Sequence, residues 1–209
     1  MSFSFVAELP LVAAALAYAD EMHRDQRRES DESLFILHPL EVASLLYNTG
    51  HREVVVAAGI LHDTIENSST DRGDLAVRFG PQVAALVAAL TEDARIEVFE
   101  ERKAALRAQI AAFGSDAIAV DAADKVAKVR ELRAQAGREP GLLEGRDPPV
   151  RGRVEHYVAS LAMLEGAQPE HPLVRQLRFE LEALRALPPR AARIPSRGGL
   201  LGEAGGWAL

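Results

Sequence analysis

The stretch REVVVAAGILHDTIEN, residues 52–67, decides the fold. Val54, Val55, Val56, Ala57, Ala58, Ile60 and Leu61 form a nearly continuous apolar run, and polar residues bound it on both sides. The spacing predicts a mostly buried helix over 52–66, which Asn67-Ser68-Ser69-Thr70 stops. Two ionisable residues, His62 and Asp63, close this run. Such groups in an apolar helix are costly unless they are paired or bound to a metal.

Outward from this helix the chain reads as helix after helix with short polar breaks. Helices are expected over 9–24, 39–47, 71–79, 81–90, 97–112, 116–136, 150–164 and 171–187. Asn48-Thr49-Gly50 ends the second of these, Thr70 is placed to cap the third, and Gly80-Pro81 opens the fourth. Residues 137–149 carry Gly, Pro and charge and read as a loop. No alternating strand pattern and no internal repeat is evident, so the expected class is all-α, a helical bundle with its site in the bundle core. Residues 1–187 are expected to form this domain. Residues 188–209 are rich in Pro, Gly and Arg and read as a flexible C-terminal tail ending in Trp207-Ala208-Leu209.

Composition narrows the chemistry. Hydrophobic residues make up 48% and aromatics only 5% of 209 residues, with Ala, Leu and Val prominent, a helix-favouring mix. There is no cysteine, so a disulfide scaffold and a thiolate zinc site are both excluded. The net charge of -7, from 24 basic and 31 acidic residues, argues against a nucleic-acid polymer as partner. It leaves room for a small phosphorylated nucleotide held by a metal and a few local cations. Residues 9–19 lack the basic flank of a secretory signal, and no apolar run approaches the ~20 residues of a membrane span. A cytoplasmic location without membrane contact is expected, and a homo-oligomer is compatible with the sequence.

Three short stretches carry chemistry: His38-Pro39, His62-Asp63 with Glu66, and Asp124-Lys125. Asp124 follows Ala117-Ile118-Ala119-Val120 and Ala122-Ala123, in a segment that reads as buried. His38, His62, Asp63 and Asp124, from separate helices, make an N2O2 donor set suited to a harder divalent ion such as Mn(II) or Fe(II). Such an ion acidifies water and polarises a phosphoryl oxygen. Glu66 lies three residues after Asp63 and four after His62, on the same helix face, where it can orient or deprotonate a water.

Taken together, ADEMHRDQRR (19–28), FILHPLEVASLL (35–46), AAGILHDTIEN (57–67), Phe79-Gly80, Leu90-Thr91, Glu101-Arg102-Lys103 and ADKVAKVREL (123–132) resemble a known family. Their order is that of the HD metal-dependent phosphohydrolases, in particular the hydrolase domain of RelA/SpoT-type alarmone enzymes and their small stand-alone relatives. The resemblance covers about residues 5–180 and includes the later segment 153–159. It implies an all-α HD bundle with one divalent metal, Mn(II), on His38, His62, Asp63 and Asp124. It further implies 3′-pyrophosphohydrolysis of guanosine 3′,5′-bis(diphosphate), with Glu66 and Asn67 at the position that handles water. Arg28, Lys103 and Arg130 match phosphate- or base-holding positions, and Lys128 is placed to attract a phosphate.

The chain departs from the family pattern in places. Asn67 stands where a second carboxylate is expected, Glu29 where a Lys is expected, and Lys128 where an Asn is expected. The loop 30–35 lacks Gly-x-Pro-Tyr. Two alternatives therefore stay open: the same metal chemistry on another 2′- or 3′-phosphorylated nucleotide, or a catalytically weakened nucleotide-binding domain.

Overall fold

The apolar run around Ile60 is broken into two helices. In the computed structural model, which describes residues 4–139, 141–143 and 148–187, helix α4 (Glu53–Leu61) stops just before His62, and a short α5 (Thr64–Asn67) follows Asp63. The expectation of one helix over 52–66 is corrected here for a local reason. The Thr64 hydroxyl donates to the Leu61 carbonyl at 2.6 Å, and the Ser68 hydroxyl to the Thr64 carbonyl at 2.7 Å. Side-chain hydroxyls thus compete for carbonyls that a continuous helix would reserve for its own amides.

Helix α4 is the hub. Residues 55–61 are all buried, and the helix packs on α2 (Pro10–Met22), α3 (Leu37–Asn48), α7 (Pro81–Leu90) and α9 (Ser115–Arg138). Gly59 allows the close approach of α3: a Cβ there would sit 2.5 Å from Leu46 Cδ1 and 3.3 Å from Val42 Cγ1. The rest of the described chain comprises α1 (Ser4–Glu8), α6 (Arg72–Phe79), α8 (Phe99–Phe113), α10 (Pro148–Ala167) and α11 (Pro172–Arg185). Among the described residues the only β pairing is an isolated antiparallel bridge, Arg27 with Leu34. The all-α class therefore holds. The tail expected at 188–209 lies outside the described residues, as do residues 140 and 144–147 of the expected loop.

Several helix ends follow from residue chemistry. Asp71, not Thr70, caps α6 in a reciprocal capping box with Asp74. Thr70 is instead buried, its hydroxyl within 2.9 Å of Tyr18 Oη and 2.8 Å of Ser68 Oγ. Pro10 and Pro81 open α2 and α7, where a missing amide hydrogen costs nothing. Gly114 links α8 to α9 with φ 107°, a conformation that disfavours a side chain. α9 is the longest helix of those described. Its residues 117–127 are all buried, between α3, α4, α8 and the other helices it meets, and it lies along α11, where buried Glu180 accepts from Arg130 at 2.7 Å and Arg133 at 2.8 Å.

Candidate metal centre

Four side chains converge where α3, the α4–α5 break and α9 meet. His38 sits in the first turn of α3, His62 and Asp63 occupy the break, and Asp124 lies in the buried half of α9. All four are buried. The two Nε2 atoms of His38 and His62 are 3.3 Å apart. Asp124 Oδ1 lies 3.1 Å from His38 Nε2 and 3.4 Å from His62 Nε2, while Asp63 Oδ2 lies 3.5 and 3.2 Å from the same atoms. One ligand atom each from His38, His62 and Asp124 falls within 4.8 Å of the others, the spacing of donors around a shared cation.

Two further observations test whether a cation suits these groups. His62 Nδ1 lies 2.8 Å from the Gly59 carbonyl, which can only accept, so Nδ1 carries a proton in either charge state and Nε2 is the atom turned to the centre, a donor to metal once its own proton is displaced. Asp124 Oδ1 is buried and accepts no hydrogen bond, although Lys128 Nζ lies 3.0 Å away. A buried carboxylate oxygen facing two imidazole nitrogens and an ammonium group is a cation-seeking arrangement. Two imidazoles and two carboxylates without sulfur fit a divalent ion of the harder kind.

The electrostatics point the same way. Burial opposes charge on His62, yet the neighbouring Asp63 and Asp124 outweigh it and raise its pKa to about 10. Burial likewise disfavours the Asp63 carboxylate, but the charge of His62 and Lys128 holds it far below the usual carboxylate range. Asp124 is held low against burial by Lys125 and Lys128. Lys125 Nζ bridges Asp124 Oδ2 at 2.7 Å and Asp121 Oδ1 at 2.9 Å.

The centre forms the floor of a cavity of about 620 Å³. Of the residues singled out in the sequence, Arg28, Glu29, Glu66, Asn67, Lys103 and Lys128 line it together with the four central groups. Glu66 Oε1 accepts from the Glu92 amide at 2.6 Å; partial burial, with Asp63 and Glu92 nearby, pushes its carboxyl up. The Asn67 carbonyl accepts from Gln26 Nε2 at 2.6 Å. Arg28 pairs with Glu131 at 2.8 Å and Lys103 with Glu92, so both cations are pre-positioned on the wall.

Arg130 is the exception. Six residues after Asp124, it points to another side of α9, where it meets Glu180 and, at 3.3 Å, Glu41 rather than the cavity.

The structure also adds residues that sequence spacing did not mark as site residues: Arg153, His156 and Tyr157 from α10, and Glu92 and Glu131 as anchors of the wall cations. The segment 153–159 carried a signal only through the family resemblance. The Glu92–Lys103 and Arg28–Glu131 pairs join residues too distant in sequence for any local pattern.

A family model for the HD domain matches residues 15–143, well over half of the chain. The chain belongs to the HD domain family. This HD domain is similar to the GTP pyrophosphokinase rsh of Brucella melitensis, 29% identical over an alignment of 192 residues that covers 88% of this chain and 24% of that protein. It is also similar to the guanosine-3′,5′-bis(diphosphate) 3′-pyrophosphohydrolase of Aquifex aeolicus, 32% identical over 123 residues, or 58% of this chain and 18% of that protein. The chain thus spans about a quarter or less of the length of these relatives.

Among solved structures, a metazoan ortholog of SpoT, described as hydrolysing ppGpp and playing a role in starvation responses, aligns with a TM-score of 0.65 and 27% identity. It matches 83% of this HD domain chain and 93% of its own. A protein of Listeria monocytogenes EGD-e aligns with a TM-score of 0.59 and 30% identity over 69% of this chain and 91% of its own. No helix among the described residues is long and apolar enough to cross a membrane.

Proposed function

We propose that this HD domain is a metal-dependent phosphohydrolase that converts guanosine 3′,5′-bis(diphosphate) and water to GDP and pyrophosphate. One observation carries the reading most strongly. Four buried donors and a cavity of about 620 Å³ with Arg28, Lys103 and Lys128 on its wall are built into a fold that aligns over most of its length with a ppGpp-hydrolysing protein. His38, His62, Asp63 and Asp124 would hold one divalent ion, Mn(II) being the ion expected. When bound, that ion supplies water acidification and polarisation of a phosphoryl oxygen.

The protein's own residues divide the remaining work. Glu66, anchored on the Glu92 amide and with its carboxyl pushed up, is suited to take a proton from water near the donors. Asn67 beside it can hold a water by hydrogen bonds but cannot take its proton. Arg28, Lys103 and Lys128 present positive charge to the substrate's phosphates. The Glu131 and Glu92 pairs fix the first two, which lowers the entropy lost on binding.

The test is incubation of Mn(II)-loaded protein with the alarmone and chromatography for GDP and pyrophosphate. Both products are expected in equal amounts. Absence of turnover, with phosphate released from another nucleotide in a substrate screen, would replace this reading with a second one: the same chemistry on a different 2′- or 3′-phosphorylated nucleotide. Glu29 favours that second reading. Its carboxylate lines the cavity, 94% exposed and 3.9 Å from Arg153, where it repels a phosphate.

A further inference from the structure

Among the cavity residues without a part in the proposed hydrolysis, one has a polar group of fixed character. His156, on α10, is buried and lines the cavity wall. Arg107 Nη1, from α8, lies 2.9 Å from its Nδ1. A guanidinium only donates, so Nδ1 must be the acceptor and the imidazole proton must sit on Nε2. Nδ1 being committed, the Nε2–H is the one polar group His156 has left to offer. Among the described residues nothing accepts from it.

The surroundings say what it would meet. Lys103 and Arg107 of α8 and Lys125 of α9 bring positive charge around the ring, countered by Asp124 of α9, and Tyr157 of its own helix lies with its ring 5.7 Å away. Burial and these cations hold the imidazole pKa down at about 2, so the ring stays neutral and keeps the same tautomer across working pH. An uncharged donor fixed in a cationic lobe suits an anionic oxygen, since a charge-assisted hydrogen bond adds directional selection to the general attraction of the lysines.

We propose that His156 is a specificity-determining residue whose Nε2–H donates to a phosphate oxygen of the substrate, with Arg107 as the positioning residue that fixes its tautomer. The proposal rests on the reading of the cavity as a phosphate-ester site, and names one contact within it.

Calorimetry with inorganic pyrophosphate on the EDTA-treated full chain tests it without turnover. His156→Phe keeps a ring but removes the donor, and should weaken pyrophosphate binding by about tenfold or more, the usual loss for a hydrogen bond to a charged group. His156→Gln, which returns an amide N–H near the same place, should bind within roughly threefold of the unmodified chain. In the alarmone assay the Phe variant should raise KM and leave kcat within about twofold, as expected for a contact made equally in ground and transition states.

A measurement on the unmodified chain guards against a Phe variant that fails to fold. ¹⁵N NMR of labelled histidine should show a protonated Nε2 and an unprotonated Nδ1 for His156 from pH 5 to 8, with the Nε2 signal moving on addition of pyrophosphate. A folded Phe variant with unchanged affinity, an Nδ1-protonated ring, or an Nε2 signal indifferent to pyrophosphate would overturn the proposal. If pyrophosphate binding depends on His156 but the alarmone is not hydrolysed, the contact stands and the proposed reaction falls. If the alarmone is hydrolysed with pyrophosphate affinity unchanged by the Phe substitution, the reaction stands and the contact falls.

Discussion

Replacing Asp124 with Asn should separate two contributions that the carboxylate makes. In the metal-free chain the substitution removes the charge that Lys125 meets at 2.7 Å and Lys128 at 3.0 Å. Lys125 keeps Asp121 at 2.9 Å, and Lys128, with 35% of its side chain exposed, can rehydrate. The loss should therefore stay at about 1–3 kcal/mol, below that of stripping a fully enclosed ion pair. The second contribution appears only with metal. A ligand at one hundred times its Kd stabilises the folded state by about 2.7 kcal/mol. For a chain of this size that corresponds to a Tm rise of roughly 5–11 °C. Thermal unfolding is to be followed with increasing MnCl2, and then after EDTA, for both proteins. The unmodified chain should gain those degrees and lose them to EDTA, while Asp124→Asn starts lower and gains less than about 2 °C at the same concentrations. Subtracting each protein's own metal-free Tm removes the first contribution. An equal Mn(II)-induced gain in Asp124→Asn would refute the assignment of Asp124 to the metal, whatever its effect on basal stability.

Three further outcomes are expected. Asn67→Asp places a proton acceptor beside Glu66 and should raise alarmone hydrolysis by about tenfold or more, read as kcat; an unchanged rate would leave Glu66 acting alone. His51 and His171 meet Nε2 to Nε2 at 3.2 Å, and His171 Nδ1 accepts from the Leu173 amide, so the neutral pair is the bonded form. Burial lowers both pKa values, with Asp116 partly opposing it at His51 and the His51 charge adding to it at His171. The folded state thus disfavours protonation: the pair's contribution is complete above about pH 6.5 and is lost as pH falls below it, so Tm should drop on acidification. His51→Gln should shrink that drop relative to the unmodified chain, in which buried His23 contributes with the same sign. Gly59→Val drives a branched side chain into Leu46 and Val42 and should destabilise by about 1–3 kcal/mol, measured by urea unfolding at constant m-value.

Helices were legible where apolar spacing is sustained, and α4, α7 and α9 show this best. Their boundaries depend on single hydrogen bonds that no periodicity records. The Thr64 hydroxyl on the Leu61 carbonyl splits a run that hydrophobicity alone makes continuous. One position decides between Thr70 and Asp71 as the cap of α6: Thr70 is drawn inward by Tyr18, a partner 52 residues earlier. The short α1 shows no extended pattern to read.

The candidate site divides along the same line. His62, Asp63, Glu66 and Asn67 are neighbours in sequence, and their grouping was visible as such. Arg130 entered only through its match to a family position, whereas its orientation is set by Glu180, fifty residues away on α11. His156 is a solitary histidine in a helix, and only the packing of α8 against α10 reveals that Arg107 has fixed its proton.

The His-Asp pair converges in spite of its backbone. On a helix, successive residues point about 100° apart, so two neighbours diverge from any common point. His62 and Asp63 both keep right-handed helical dihedrals, φ -58° and ψ -31° for the first, φ -92° and ψ -4° for the second, yet His62 Nε2 and Asp63 Oδ2 end 3.2 Å apart. The side chains, not a bend in the chain, close this pincer. Crowding either side chain out of its rotamer should therefore open it while leaving both residues present.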